Sequence, residues 1–292
     1  MIVFEYLQTH PAGFFVLAAL IGLIVGSFLN VVIARLPVMM EREWRSQCAE
    51  FLETSSPSSD ETGDFNLVFP RSRCLACGHT ITALENIPLI SYLWLRGRCS
   101  ACNSRISLRY PVVELLSGVL ALVAAWRFGV TAQAAGAMLL TWALVVLSAI
   151  DLDRRLLPDS ITLPFLWLGL VFNLFGTYAS VQSSLVGAMA GYGILWLVYQ
   201  LFRLATGKEG MGYGDFKLLA MLGAWLGWQA LPAIILLSSL VGAGVGIALI
   251  VLRGHDRDVP IPFGPYIAAA GWITLLWGEQ LTQMYLTVAG YR

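Results

Sequence analysis

The chain has 292 residues, 58% of them hydrophobic and only 12% charged, and its 18 basic residues balance 18 acidic ones to a net charge of zero. Soluble domains carry about 25% charged residues, so this composition excludes an ordinary soluble domain and gives no reason to expect a nucleic-acid partner. It indicates an all-α membrane protein embedded in a lipid bilayer.

A span needs about 17 to 25 apolar residues. The first fits residues 12–33, following about eleven residues with no basic start and no small-residue cleavage site, and so reads as a retained helix. Gly22 and Gly26 within it suit close packing against another helix. Further spans fit residues 111–129, 133–150, 160–179, 183–205, 231–252 and 262–286, with a short one at 215–229. If the N-terminus faces outward, sixteen of the eighteen Lys and Arg fall inside, and only Arg127 and Arg292 fall outside. Basic residues are retained on the cytoplasmic side. Dropping the short span would send a basic loop outward, so about eight helices is the better count.

Between the first and second spans lies a long loop, residues 34–110. Residues 41–64 hold seven acids against two arginines and a serine-rich run at 55–60, which reads as a flexible or weakly helical linker without chemistry. Cys48 within it reads as an ordinary free thiol. Then Cys74-x2-Cys77 is followed after twenty-one residues by Cys99-x2-Cys102, a spacing that closes a tetrahedron around zinc. A pair of disulfides is the alternative, and the cytoplasmic side assigned to the loop, where thiols stay reduced, favours zinc. Four cysteines complete a site, so the metal reads as structural. His79 beside the first pair is not needed as a ligand.

Two acidic clusters end apolar segments on the same predicted side: Asp151-Leu152-Asp153 after residues 144–150, and Gly212-Tyr213-Gly214-Asp215 ahead of residues 218–222. Carboxylates at a membrane boundary are costly to desolvate. Asp151 and Asp215 suit an aspartyl protease dyad, in which one carboxylate takes a proton from water and its protonated partner bonds the scissile carbonyl. Gly212 and Gly214 suit it too, since glycine takes positive φ and lets a backbone approach. By spacing alone, a flexible turn with Asp215 as a helix cap stands equally. Asp153 and Asp159 are weaker candidates, Asp159 as a cap for the helix that follows. Glu114, about a turn inside the second span, is a functional candidate, with Arg109 as its alternative partner. Gly242-Ala243-Gly244-Val245-Gly246 lies within a span and reads as helix packing.

The chain resembles the type 4 prepilin peptidases, membrane aspartyl proteases that are also N-methyltransferases. The likeness is carried by Gly26-Ser27-Phe28-Leu29-Asn30-Val31, the four cysteines, Glu85-Asn86-Ile87-Pro88, Arg109-Tyr110-Pro111 with Glu114, Ile150-Asp151, Leu157-Pro158-Asp159, residues 210–217 and Pro262-Phe263-Gly264-Pro265. The resemblance implies an enzyme of the bacterial inner membrane, its N-terminus periplasmic and its active site facing the cytoplasm. Such an enzyme removes the leader from prepilins and type II secretion pseudopilins. It then methylates the new N-terminus, usually Phe, from S-adenosylmethionine. It implies Asp151 and Asp215 as catalytic, Cys74, Cys77, Cys99 and Cys102 as zinc ligands, and Gly97 as tied to methylation. No Gly-x-Gly-x-x-Gly turn follows a strand, so the methyl donor rests on the resemblance alone. The expected division is a first helix at 1–33, a zinc loop at 34–110 and a protease core at 111–292. A transporter with proton-carrying acids would place them deeper, at interrupted helices; a noncatalytic scaffold would not need both aspartates. Oligomeric state is left open.

Overall fold

The computed structural model describes residues 2–52, 65–253 and 261–288; the serine-rich run at 55–60 lies outside them. Among the described residues there is no strand, only helices α1 (Ile2–Thr9), α2 (Pro11–Phe51), α3 (Ile90–Trp94), α4 (Arg109–Phe128), α5 (Ala132–Arg154), α6 (Asp159–Leu174), α7 (Val181–Thr206), α8 (Tyr213–Leu226), α9 (Leu231–Arg253) and α10 (Gly264–Val288). The chain divides into two compact units, Met1–Trp126 and Arg127–Arg292. Helices α2, α4, α5 and α7, together with Trp228–Leu249, are long and apolar enough to cross a membrane. The protein is therefore a multi-pass membrane protein of the all-α class.

In the first unit, α2 starts with Pro11 at its first position, where a missing N–H costs nothing. Its 41 residues measure about 62 Å at 1.5 Å each, twice the hydrocarbon core. The polar end must therefore project beyond the bilayer. Of the expected flexible or weakly helical linker, residues 41–51 are helical and continue α2, with Glu41 and Arg45 spaced i, i+4 and Gln47 donating to Glu43 at 3.4 Å. Small residues bring α2 onto α4. A Cβ on Gly22 would sit 2.7 Å from the Ser117 carbonyl, and one on Gly26 would sit 2.8 Å from Glu114 Cα.

The second unit is organised around α8. Its 14 residues reach only about 21 Å, less than the roughly 30 Å hydrocarbon core, and from Phe216 onward nearly every side chain is buried. Such a helix is apolar on all sides because neighbours surround it. The backbones of α7 and α8 touch: a Cβ on Gly187 would lie 2.3 Å from the Gly223 carbonyl oxygen. At the far end of α8, Asn173 of α6 donates to the carbonyls of Ala224 (3.0 Å) and Trp225 (2.8 Å) and to Ser184 Oγ. Its own oxygen accepts from the amides of Tyr178 and Ala179. One buried amide thus satisfies helix-end carbonyls that have no water to turn to. The glycines of α9 do not pack as expected: Gly244 has nothing within 4 Å of a Cβ position, and Gly242 meets Phe263 and Tyr266 at 3.4 Å, ordinary contact.

Candidate active site and metal centre

In the second unit, Asp151 lies in the last turn of α5 and Asp215 in the first turn of α8, 5% and 8% exposed. The two are close enough for the charge of one to act on the other. Helix α5 ends at Arg154, capped by Arg155, which is left-handed at φ 54° and donates its N–H to the Asp151 carbonyl at 2.8 Å. Asp215 is the third residue of its helix, where a carboxylate meets the positive end of the helix dipole. The helix cap is Gly212, not Asp215.

A third element joins them. The Gly264 N–H, at the start of α10, donates to Asp151 Oδ2 at 3.0 Å. A Cβ at 264 would come within 2.6 Å of that oxygen, so only glycine lets the amide reach it. Leu157 is wedged between the glycines: its side chain lies 2.8 Å from a Cβ built on Gly214 and 3.3 Å from one built on Gly264. Gly214 is thus explained by close approach and not by positive φ, and Gly212 is extended at φ −82°. Gly264 and Leu157 stand in the motifs that carry the family resemblance, but their roles come from contacts across 113 residues of chain, which no local pattern announces.

The other acids separate. Asp159 is the first residue of α6, with Pro158 as the cap, and both its oxygens pair with Lys217 Nζ at 2.8 and 2.6 Å. Asp153 is exposed. Glu114 is buried in the first unit, accepting from the Leu89 amide at 2.9 Å and from Ser27.

The four cysteines converge in the first unit. All four Sγ atoms lie within 4.8 Å of one another, with Cys74–Cys102 at 3.8 Å and Cys77–Cys99 at 4.0 Å. Disulfide sulfurs lie about 2.05 Å apart; a tetrahedron with Zn–S bonds of about 2.3 Å has edges of about 3.8 Å. The donor set fits zinc. The two knuckles repeat the same turn. In the first, the Cys74 N–H donates to the His79 carbonyl and Gly78 takes φ 74°; in the second, the Cys99 N–H donates to the Ser104 carbonyl and Asn103 takes φ 57°. Bridges Arg73–Thr80 and Arg98–Arg105 close them. The Ser104 hydroxyl beside Cys74 draws its thiol down to about 6, into thiolate range.

Glu85 ties the knuckles together. It accepts from Thr82 N (2.8 Å) and Oγ1 (2.9 Å) after the first knuckle and from Ser100 Oγ inside the second, with His79 Nε2 at 3.4 Å. The Ser100 hydroxyl, then the Thr82 amide, hold its carboxyl down at about 2. Gly97 has φ 67°, and a Cβ there would strike Tyr92 Oη at 2.7 Å. Both backbone and space demand glycine at this turn, two residues ahead of Cys99.

Two family models match: the bacterial peptidase A24 N-terminal domain over residues 20–128, and the type IV leader peptidase family over residues 138–247. A protein of Stutzerimonas stutzeri named prepilin leader peptidase/N-methyltransferase is 58% identical over 98% of each chain. The chain belongs to the type IV leader peptidase family. Proteins of the same name from Pseudomonas aeruginosa (56% identical over 99% of each chain) and Aeromonas hydrophila (58% over 95% of each) are similar members. No solved structure gives a significant match. The leader peptidase model spans Asp151 and Asp215 but stops before Gly264.

Proposed function

We propose that this chain cleaves the leader from prepilins and type II secretion pseudopilins and N-methylates the residue so exposed, usually Phe. Membership of the leader peptidase family supports both activities. The observation that carries the catalytic assignment is a pair of buried aspartates at neighbouring helix ends, one of them held by a backbone amide.

In this reading Asp151 and Asp215 share one proton. The ionised carboxyl takes a proton from water as that water attacks the scissile carbonyl; the protonated one donates to the carbonyl oxygen. The amide of Gly264 fixes the rotamer of Asp151. Both carboxylates sit at helix ends, which suits a substrate whose apolar helix lies in the bilayer while its leader stays in water, and disfavours a transporter with a midplane site. Cys74, Cys77, Cys99 and Cys102 would hold a structural zinc with no open position for chemistry. Gly97 would act on methylation through the shape of that loop. S-adenosylmethionine supplies the methyl group; among the described residues no strand precedes a glycine-rich turn that could seat it in Rossmann fashion. About eight spans, with the N-terminus outside and the dyad facing the cytoplasm, are what the distribution of basic residues supports, and the family resemblance supports the bacterial inner membrane as their place. Functionally the chain divides into a first helix (1–33), the zinc loop (34–110) and the protease core (111–292).

The test is cleavage of a purified prepilin by wild type, Asp151→Asn and Asp215→Asn, with mass spectrometry of the product N-terminus in the presence of S-adenosylmethionine. Loss in both variants and a wild-type product heavier by a methyl group are expected. Cleavage surviving either substitution would mean the wrong aspartates have been named.

A further inference from the structure

The first unit keeps an apolar surface outside its two long helices. In the short helix α3 the side chains of Ile90, Leu93 and Trp94 are 60%, 74% and 82% exposed, and Leu84 just before it is 74% exposed. Soluble loops rarely leave such a contiguous set in water.

Its surroundings are strongly basic. Residues 65–110 contain Arg71, Arg73, Arg96, Arg98, Arg105 and Arg109, all exposed, against a single acid, Glu85. That acid is occupied internally by Thr82 and Ser100. Two of the arginines follow Trp94 almost directly, in Trp94-Leu95-Arg96-Gly97-Arg98.

The depth of α3 is fixed by a hydrogen bond. Leu89, the residue that begins this turn, donates its N–H to Glu114 at 2.9 Å and holds a left-handed φ of 59° to do so. Glu114 lies five residues inside α4, a helix able to cross the membrane. Five residues are about 7.5 Å of helix. Helix α3 is therefore tethered a turn and a half below the polar end of a span, within the roughly 5–10 Å over which interfacial helices bury their apolar faces. A second tether, Asn30 Nδ2 to the Tyr110 carbonyl at 3.0 Å, holds α2 to the first turn of α4 at the same end.

We propose that the cysteine loop rests on the anionic lipid surface, with Leu84, Ile90, Leu93 and Trp94 inserted at the headgroup–acyl boundary and the arginines on lipid phosphates. Aromatic and apolar residues flanked by arginines suit that boundary, and each Arg near an anionic surface strengthens attachment roughly fivefold. The loop is thereby a membrane-seated platform and not a free cytoplasmic appendage. This rests on α2 and α4 as membrane helices and is independent of the catalytic roles assigned to the aspartates.

The experiment replaces Trp94 with the photocrosslinker p-benzoylphenylalanine in the full chain, reconstituted in nanodiscs of phosphatidylcholine alone or mixed with phosphatidylglycerol. Intact-mass and peptide analysis follow irradiation. Lipid adducts, several-fold more abundant with phosphatidylglycerol, are the expected result. Cross-links into residues 127–292 or into a second copy, or no adduct at all, would overturn the proposal, and equal lipid yields in the two bilayers would overturn its anionic half. The same probe at Leu93 repeats the test at a second side chain, so a folding fault at one site decides nothing by itself. Peptidase activity is not read, so a failure here leaves the proteolytic reading standing.

Discussion

In the first unit the cysteine loop keeps its shape through directional hydrogen bonds between residues close in sequence, whereas in the second unit the aspartate pair is held by helices packed so tightly that glycine is required at their crossings. The loop has Glu85 bridging Thr82 and Ser100, two copied knuckle turns and little buried apolar surface. A net hydrogen bond contributes only about 0.5–1.5 kcal/mol, so a loop built this way would draw much of its stability from the zinc proposed for its four cysteines. The dyad has Gly187 against Gly223, Leu157 between Gly214 and Gly264, and a nearly fully buried α8. Inside a bilayer helices gain by close packing of small residues, and that stabilisation does not depend on a metal. The two sites should therefore fail separately and for different reasons.

The largest separation is expected from the aspartates. Asp151→Asn or Asp215→Asn should lower prepilin cleavage by about 10²- to 10⁴-fold, the worth of a positioned acid–base group, while zinc content and thermal unfolding stay as in wild type. A variant that also lost its zinc would show that the units are not independent. The converse change is Cys74→Ser or Cys99→Ser. Zinc should no longer survive purification, methylation of the product should vanish, and cleavage should persist. Equal loss of both activities would instead give the metal a global folding role.

How much of this contrast could be read from the chain follows from where the contacts lie. The four-cysteine cluster is visible in sequence because its members fall within 29 residues and obey a spacing set by knuckle geometry. Asp151 and Asp215 stand out because acids at the end of apolar runs are rare, and the helices that carry them fall close to where apolar length put them. The Gly264 amide and the Leu157 wedge are invisible to spacing, since a hydrogen bond and a packing contact join the end of α5 and the loop after it to α8 and α10 across the fold. The positive φ that glycine permits is used at neither Gly212 nor Gly214; at Gly214 the Leu157 side chain leaves no room for a Cβ, whereas at Gly212 a Cβ would meet nothing nearer than Asp215 Oδ2 at 4.0 Å. In the same way the charge-rich segment from residue 41 looks like linker by composition, yet it continues α2 to Phe51.

A packing variant sharpens the comparison next. Gly187→Ala would place a methyl group 2.3 Å from the Gly223 carbonyl oxygen, a clash between backbones that no rotamer relieves. Overpacking of this kind costs about 1–3 kcal/mol, and it should appear as lower thermal stability in detergent with loss of cleavage, leaving zinc affinity unchanged. Glu85→Gln probes the other unit. Partners that orient a metal site are worth about 10- to 100-fold in metal affinity, so chelator competition should show zinc released more readily, with prepilin cleavage intact. The same carboxyl gives a pH signature in the zinc-free protein. Because the loop lowers it from 4.5 to about 2, its contribution is complete above pH 4.5 and disappears as pH falls towards 2. Glu85→Gln should lower loop stability at neutral pH, where that contribution is complete, and flatten the further loss between about pH 4.5 and 2.

The smallest effect is expected at the rim of the dyad, where both organising principles meet. Lys217 lies two residues past Asp215 and grips both oxygens of Asp159, joining the first turns of α8 and α6 by a directional bond on an otherwise packed unit. Asp159 is about half exposed, at 51% of its side chain, so water screens the pair and its coupling should be only about 0.2–1 kcal/mol. A double-mutant cycle with Lys217→Met and Asp159→Asn, read by thermal unfolding at low and high salt, measures it. Coupling that shrinks with salt, and a charge-reversed pair (Lys217→Asp with Asp159→Lys) that recovers stability, would mark the bridge as a fastening between helix ends. If cleavage fails in the charge-reversed pair while stability returns, Lys217 is doing more than fastening: its charge, so close to Asp215, then bears on the substrate itself.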